Sequence, residues 1–368
     1  MLPDSFKKFL ELADIPQSIY DSPEAPRYIR FKPHPDLAKR IALVNEWTPL
    51  TNVLWSKNFY AMNSSVKIAQ NKHFKAGWFY GIDVSSVIFV KTKGLAVDAL
   101  QIKNDDHVLD LCCAPGPKML YISDLMNSGG RSSLGTITGV DISRHRLGTC
   151  LGQIRKYKHD RIRLFLQDGT TFDVPPPSRI GPLVLIEPES TASLSDDLTA
   201  QIDSPKVTIP FYAPRLIRLD KQTRIQGYLY SKVLVDAECT HDGSMAHIQK
   251  FERQNWGNFD RLFLNSERLT TLFQLQCNLL SNGYRMLKDG GLLVYSTCSF
   301  SVMQNENVIS WFLDEFEGVL EEIPEIQNVP VAPKCSEDPR LRFCVRLDPK
   351  SSQTSGFFLA RIRKPLAS

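Results

Sequence analysis

A chain of 368 residues, 42% apolar and 23% charged, is long enough for two domains or one large core with an appendage, and too apolar for wholesale disorder. Its 44 basic and 40 acidic residues leave a net charge of only +4, so composition alone does not declare a nucleic-acid binder. No stretch approaches the roughly 20 apolar residues of a membrane span, Asp4 and Glu11 sit where a leader peptide would avoid acids, and the eight scattered cysteines are no disulfide framework, so a reduced, intracellular protein of cytoplasm or nucleus is expected.

Residues 1–82 mix proline-punctuated loops with short apolar runs. From Trp47 to Ile82 there is no acid, while Lys57, Lys67, Lys72, His73 and Lys75 alternate with Trp55, Phe59, Tyr60, Phe74, Trp78, Phe79 and Tyr80. Cations for phosphates and flat rings for unstacked bases suit single-stranded RNA; a half-buried sheet with a solvated lysine face is the competing reading. Beyond residue 82 the pattern becomes regular. Strands are predicted at Val108–Leu111, Thr136–Ile142, Ile162–Asp168, Lys232–Cys239 and Leu292–Ser299. Helices are predicted at Lys118–Met126, Arg144–Lys158, Glu267–Leu287 and Asn305–Phe316, and the tail, RLRFCVRLD then GFFLARIRK, reads as an edge hairpin. Residues 173–230 interrupt the alternation with Pro175–Pro177, a polar run and the basic cluster Arg215, Arg218, Lys221 and Arg224, a surface insertion that either touches RNA or is solvated. The expected fold is α/β: a Rossmann-like, doubly wound core over 83–368 with a smaller N-terminal RNA-binding region over 1–82.

Asp110, Asp141, Asp168 and Asp236 each lie at or near the end of a predicted strand, and such ends line one crevice. An acid ending the second strand can accept both hydroxyls of a ribose. The Pro115–Pro117 loop lacks the G-x-G-x-x-G of pyrophosphate cofactors, and Lys118 at the next helix start can pair with a carboxylate. Together these suit S-adenosylmethionine. Cys239 and Cys298 follow the fourth and fifth predicted strands, which would deliver both thiols to that crevice. The remaining cysteines read as core residues, except Cys335 in a polar loop, and no C-x-x-C spacing suggests a metal.

CCAPGPK (Cys112–Lys118), GVDIS (Gly139–Ser143), VLVDAECT (Val233–Thr240) and LVYSTCS (Leu293–Ser299) follow one another in this order. The series resembles the successive motifs of the NOL1/NOP2/Sun family, RNA cytosine-5 methyltransferases that use S-adenosylmethionine. The resemblance extends over roughly 25–364 and includes Gln276, Gly290, Gly291, Glu306, Asn307 and the closing GFFLARI. It implies a methyltransferase core in which Cys298 attacks the base, Asp236 holds the pyrimidine edge and Cys239 takes part in product release. The cofactor would lie against Cys112, Cys113, Ala114, Pro115, Gly116, Pro117, Lys118, Asp141, Arg146, Asp168 and Asp236. RYIRFKP (Arg27–Pro33) resembles the family's RNA-facing segment, which with the basic block gives Arg27, Arg30, Lys57, Lys72 and Lys75 as RNA contacts.

The chain departs from the family pattern at Cys113, Pro117, Glu238 and Thr240, where alanine, glycine, proline and serine are usual. Glu238 shares strand parity with Asp236, so it is expected to face the cleft and to raise the pKa of the neighbouring thiol. The expectation is therefore an RNA cytosine-5 methyltransferase, monomeric and without metal, acting on transfer RNA more readily than ribosomal RNA because long basic tails are lacking. A catalytically retired RNA-binding assembly factor is the alternative from a different class.

Overall fold

The structure is a computed structural model that describes residues 2–21, 26–53, 58–82, 89–90, 93–127, 134–185, 208–218, 227–254, 256–326, 329–352 and 354–367. Trp55, Lys57, Lys221 and Arg224 lie outside the described residues. Among those described, no helix is long and apolar enough to cross a membrane.

The N-terminal part comprises α1 (Asp4–Leu12), β1 (Arg27–Phe31), α2 (Leu37–Trp47), β2 (Thr51–Asn52), β3 (Phe59–Met62) and β4 (Phe79–Gly81). The core follows as β5 (His107–Asp110), α3 (Pro117–Asn127), β6 (Thr136–Asp141), α4 (Arg144–Lys156), β7 (Ile162–Leu166), β8 (Tyr230–Asp236), α5 (Met245–Gln254), α6 (Trp256–Phe263), α7 (Ser266–Arg285), β9 (Leu287–Thr297), α8 (Glu306–Glu315), β10 (Val319–Glu321), β11 (Val345–Leu347) and β12 (Phe357–Arg363).

The central sheet has eight strands in the order β10-β12-β9-β8-β5-β6-β7, with β11 paired to β12. Strands β9, β8, β5, β6 and β7 run parallel, and β12 joins β9 antiparallel. The parallel strands are apolar on both faces: Val233 and Val235 of β8 enter one core cluster while Leu234 enters the other. The chain winds outward from β5 to β7 and then returns to place β8 against β5, so the direction of winding reverses between these two strands. Ligands of open α/β sheets bind beyond the strand ends at such a reversal.

Three expectations need correction. The two tail segments do pair antiparallel, β11 against β12, but β12 is not at the edge: it lies between β9 and β10, with Phe358, Leu359, Ala360 and Ile362 fully buried. The helix expected to reach Leu287 ends at Arg285, and β9 begins at Leu287 and runs through Gly290–Gly291, with an irregular register against β8. The strand ending in Asp236 stops there, so Glu238 and Cys239 lie in the following loop, as Asp168 lies beyond β7.

The N-terminal third docks in two places. Strands β1–β4 form an antiparallel sheet against α3 and α4, where the Tyr157 hydroxyl donates to the Phe79 carbonyl at 2.8 Å and Lys32 to the Tyr157 carbonyl at 2.8 Å. Helix α1 instead lays Phe6, Phe9 and Leu10 against Ile248 and Phe251 of α5, Phe259 of α6 and Phe300.

Candidate active site

The loop after β5 is held over the sheet by backbone and side-chain bonds. Gly116 adopts φ +108, where a side chain would be strained, and this turns the chain into Pro117 at the first position of α3. Asp141, at the end of β6, accepts from Ser143 N at 2.9 Å and from Ala114 N at 3.3 Å. Arg146 lies 3.6 Å from Asp141 and donates to the Ala114 carbonyl at 2.7 Å, closing a brace between α4 and the loop. Asp168 is exposed and its Oδ1 accepts both Thr170 N and Thr170 Oγ1 at 2.8 Å. Cys112 is half-buried at the crevice and Cys113 is buried, donating its N–H to the Val140 carbonyl at 3.0 Å.

Deeper in the crevice Lys118 Nζ meets Asp236 Oδ2 at 2.6 Å, and Ser296 Oγ donates to Asp236 Oδ1 at 2.7 Å. Burial, then the nearby Asp236 charge, push the Asp110 carboxyl up to about 7. The carboxylate that Lys118 meets is therefore the protein's own Asp236.

Both thiols arrive together. Cys239 Sγ and Cys298 Sγ are 3.3 Å apart, delivered by the loops after the neighbouring strands β8 and β9. A buried network locks these loops. Asp242 accepts from Ser299 Oγ and Phe300 N, each at 2.7 Å, and from Thr240 Oγ1, while Gln304 accepts from Thr240 N at 3.1 Å. Gly243 passes so close that a Cβ there would meet the Cys298 carbonyl oxygen at 2.7 Å, and its N–H donates to that oxygen at 3.0 Å. Tyr20 from the N-terminal segment adds a bond to the Asp242 carbonyl at 3.0 Å.

His241 completes the group, with Nδ1 3.0 Å from Cys298 Sγ and 3.8 Å from Cys239 Sγ. The two thiols titrate as a pair. Burial opposes ionisation of Cys239, but the hydrogen bond with Cys298 and the charge of His241 outweigh it and hold the first ionisation below the usual thiol range. The hydrogen bond to Cys239 and burial push the second, at Cys298, above it. The sulfurs and the ring nitrogen lie within 4.8 Å of one another, close enough to share a metal ion, but an ion there would occupy both thiols.

Glu238 lies in the loop next to Cys239, close enough for its charge to act on His241, and it is not an unpaired acid. Arg268 of α7 reaches Glu238 Oε1 at 2.8 Å and also donates to the Cys239 carbonyl at 3.2 Å. The sequence held no cue for Arg268, Ser296 or His241 as partners of this site. Ile142 was also missed; it is 70% exposed directly after Asp141, an apolar surface at the mouth of the crevice.

The expected RNA contacts divide. Arg27, Lys72 and Lys75 are exposed. Arg30 is not an RNA contact: it is 4% exposed, paired with Asp124 and the Tyr80 hydroxyl, and stacked over Tyr121 at 4.3 Å, so it fastens β1 to α3. Phe59, Phe79 and Tyr80 are likewise core residues, whereas Tyr60, Phe74 and Trp78 are half-buried.

Comparison with known proteins gives the family. Residues 97–180 and 214–363 match the family described as 16S rRNA methyltransferase RsmB/F. The tRNA (cytosine(49)-C(5))-methyltransferase of Pyrococcus abyssi is 32% identical over 88% of this chain and 83% of its own. The 5-cytosine rRNA methyltransferase NSUN4 of Mus musculus is 27% identical over 69% of this chain and 48% of its own. The crystal structure of NSun6 from Pyrococcus horikoshii with SFG shares the fold, with a TM-score of 0.67, 16% identity and coverage of 98% of both chains. With the family match extending over more than half of its 368 residues, the chain belongs to the RsmB/F methyltransferase family, and the resemblance carried by its ordered motifs holds.

Proposed function

We infer that this chain methylates carbon 5 of cytosine in RNA, using S-adenosylmethionine, and that its substrate is a transfer RNA. The observation that carries the reading is the pair of thiols 3.3 Å apart beside Asp236, because methylation at this carbon needs a covalent nucleophile and then its release. A relative matched over most of both chains and named for transfer RNA supports that substrate.

The residues fit the methyl donor. Asp110, Asp141, Asp168 and Asp236 outnumber Lys118 and Arg146 around the crevice, which suits a ligand carrying a sulfonium and an ammonium. Asp141 would accept the ribose hydroxyls, Ile142 would cover an adenine face, and the Cys112–Lys118 loop would border the amino-acid end. Bound there, S-adenosylmethionine supplies an electrophilic methyl group.

Carbon 5 of cytosine is a poor nucleophile. Addition of the Cys298 thiolate to carbon 6 places the ring's electrons on carbon 5, while Asp236, held by Lys118 and Ser296, bonds the ring nitrogen and amino edge. Cys239 lies close enough to take part in removing the carbon-5 proton, after which the bond from Cys298 to carbon 6 breaks and its electron pair returns to sulfur. The base must leave its stack to reach this site, and exposed Arg27, Lys72 and Lys75 offer contacts for the RNA backbone. Glu238 favoured a retired site from sequence; its pairing with Arg268 removes that argument.

The test is transfer of labelled methyl to transfer-RNA and ribosomal-RNA transcripts, with bisulfite mapping of the product. Incorporation at a cytosine of the transfer RNA that is lost in Cys298→Ala is expected. Incorporation only into ribosomal RNA would overturn the substrate, and none into either would overturn the activity.

A further inference from the structure

His241 has no part in the scheme above, yet its ring nitrogen is nearer to Cys298 Sγ than the second thiol is, at 3.0 Å against 3.3 Å. Its backbone sits at φ +56, in the left-handed region that non-glycine residues seldom occupy and that histidine tolerates better than most. The Asp242 network on one side and Gly243 against the Cys298 carbonyl on the other hold it there. The chain thus keeps an uncommon backbone conformation that brings an imidazole against the sulfur of the reading above.

We propose that His241 is the proton acceptor for Cys298, and so a further catalytic residue. The inference rests on Cys298 being the nucleophile. As the sulfur's electron pair forms the bond to carbon 6 of the base, the S–H bond breaks and its proton passes to His241 Nδ1. On elimination the carbon–sulfur bond breaks, its electron pair returns to sulfur, and the proton returns from Nδ1.

The surroundings favour this exchange. The titratable and charged groups facing the pair are Cys239; Glu238 with Arg268 of α7; Asp236 with Lys118 of α3; Asp242, which is buried in the same loop; and His247 of α5, whose ring centre lies 5.4 Å from that of His241. Burial works against a charged His241, but a thiolate beside it outweighs this: Cys239 does so in the native chain, and with Cys239 replaced the sulfur left against the ring is Cys298 at 3.0 Å. A base that holds the proton more firmly keeps more of the thiolate at neutral pH.

The experiment follows alkylation of Cys298 by iodoacetamide across pH, read by mass spectrometry of its peptide. The Cys239→Ala background removes the second thiol. His241→Gly suits the left-handed backbone, and His241→Asn serves if the glycine variant fails to fold. With His241 present, the midpoint should lie below the ordinary thiol value of about 8.5. Without it, the midpoint should rise by a unit or more, with roughly tenfold slower alkylation near pH 6.5 and convergence at high pH. Free imidazole should recover part of the rate in the glycine variant. Superimposable pH profiles with and without His241 would overturn the proposal. Since no RNA is present, failure here is separate from failure of RNA methylation: methylation with unmoved profiles removes His241 alone, while shifted profiles without methylation remove the functional reading and leave the proton-sharing pair.

Discussion

Asp110 gives the crevice a measurable conflict between stability and binding. Its carboxyl is 1% exposed, and burial with the Asp236 charge raise it from 3.8 to about 7. Between those values the native state keeps a proton that the unfolded chain has released, so stability falls as pH rises from about 4 to about 7. At about 1.4 kcal/mol per unit the loss reaches about 4 kcal/mol and is complete above pH 7. Asp110→Asn cannot ionise and still offers an oxygen to Cys112 N, which Asp110 Oδ1 meets at 3.4 Å. The variant should match the native protein near pH 4 and exceed its stability by about 2–4 kcal/mol at pH 8, measured by urea unfolding at a series of pH values. The same change should weaken binding of positively charged S-adenosylmethionine at pH 8 more than binding of its uncharged-sulfur product. A stability difference independent of pH would refute the reasoning, because it would mean that Asp110 ionises alike in both states.

Arg30→Met should destabilise the protein by about 3–5 kcal/mol by leaving Asp124 buried without its main partner, read from the urea midpoint. Lys72→Ala and Lys75→Ala should instead leave the midpoint unchanged and weaken RNA binding, each reducing the salt dependence by about one unit if it meets a phosphate. Asp141→Ala should weaken S-adenosylmethionine about 10- to 150-fold, or about 1.5–3 kcal/mol by calorimetry; an unchanged constant would reduce Asp141 to a brace for the Ala114 loop. Arg268→Gln should expose the thiols to the Glu238 charge and move the alkylation profile upward by up to about one pH unit, whereas Glu238→Gln should move it downward and by less. An Arg268→Gln profile that does not move would show that Glu238 does not act on the thiols.

The parallel core was legible because its strands are short apolar runs ended by acids and separated by helical periodicity, as in VLVD before Cys239 and VLD before Cys112. Strand parity could not place Glu238, because β8 ends at Asp236 and Glu238 lies in the loop beyond it. Its charge balance was not legible, since Arg268 comes from a helix 30 residues further along the chain and no local pattern announces the pair. Arg30 misled for the opposite reason: a lone arginine in an alternating strand looks like a surface cation until the Asp124 that buries it is brought up by α3. The pairing of the two tail segments was legible but not their place, because alternation was read into GFFLARIRK, whereas Arg361 is 5% exposed and the strand is covered on both sides. His241 carried no signal as a lone histidine; it gains meaning only from the fold that sets it 3.0 Å from Cys298.

Two thiols divide the chemistry, Cys298 as nucleophile and Cys239 in release. Cys239→Ala, incubated with S-adenosylmethionine and the transfer RNA, should accumulate a slow-migrating protein–RNA band on a denaturing gel, with the nucleotide mapped to Cys298 by mass spectrometry and the band absent once Cys298 is also replaced. A band that survives loss of Cys298, or a Cys239→Ala protein that turns over without stalling, would contradict the assignment of nucleophile and release.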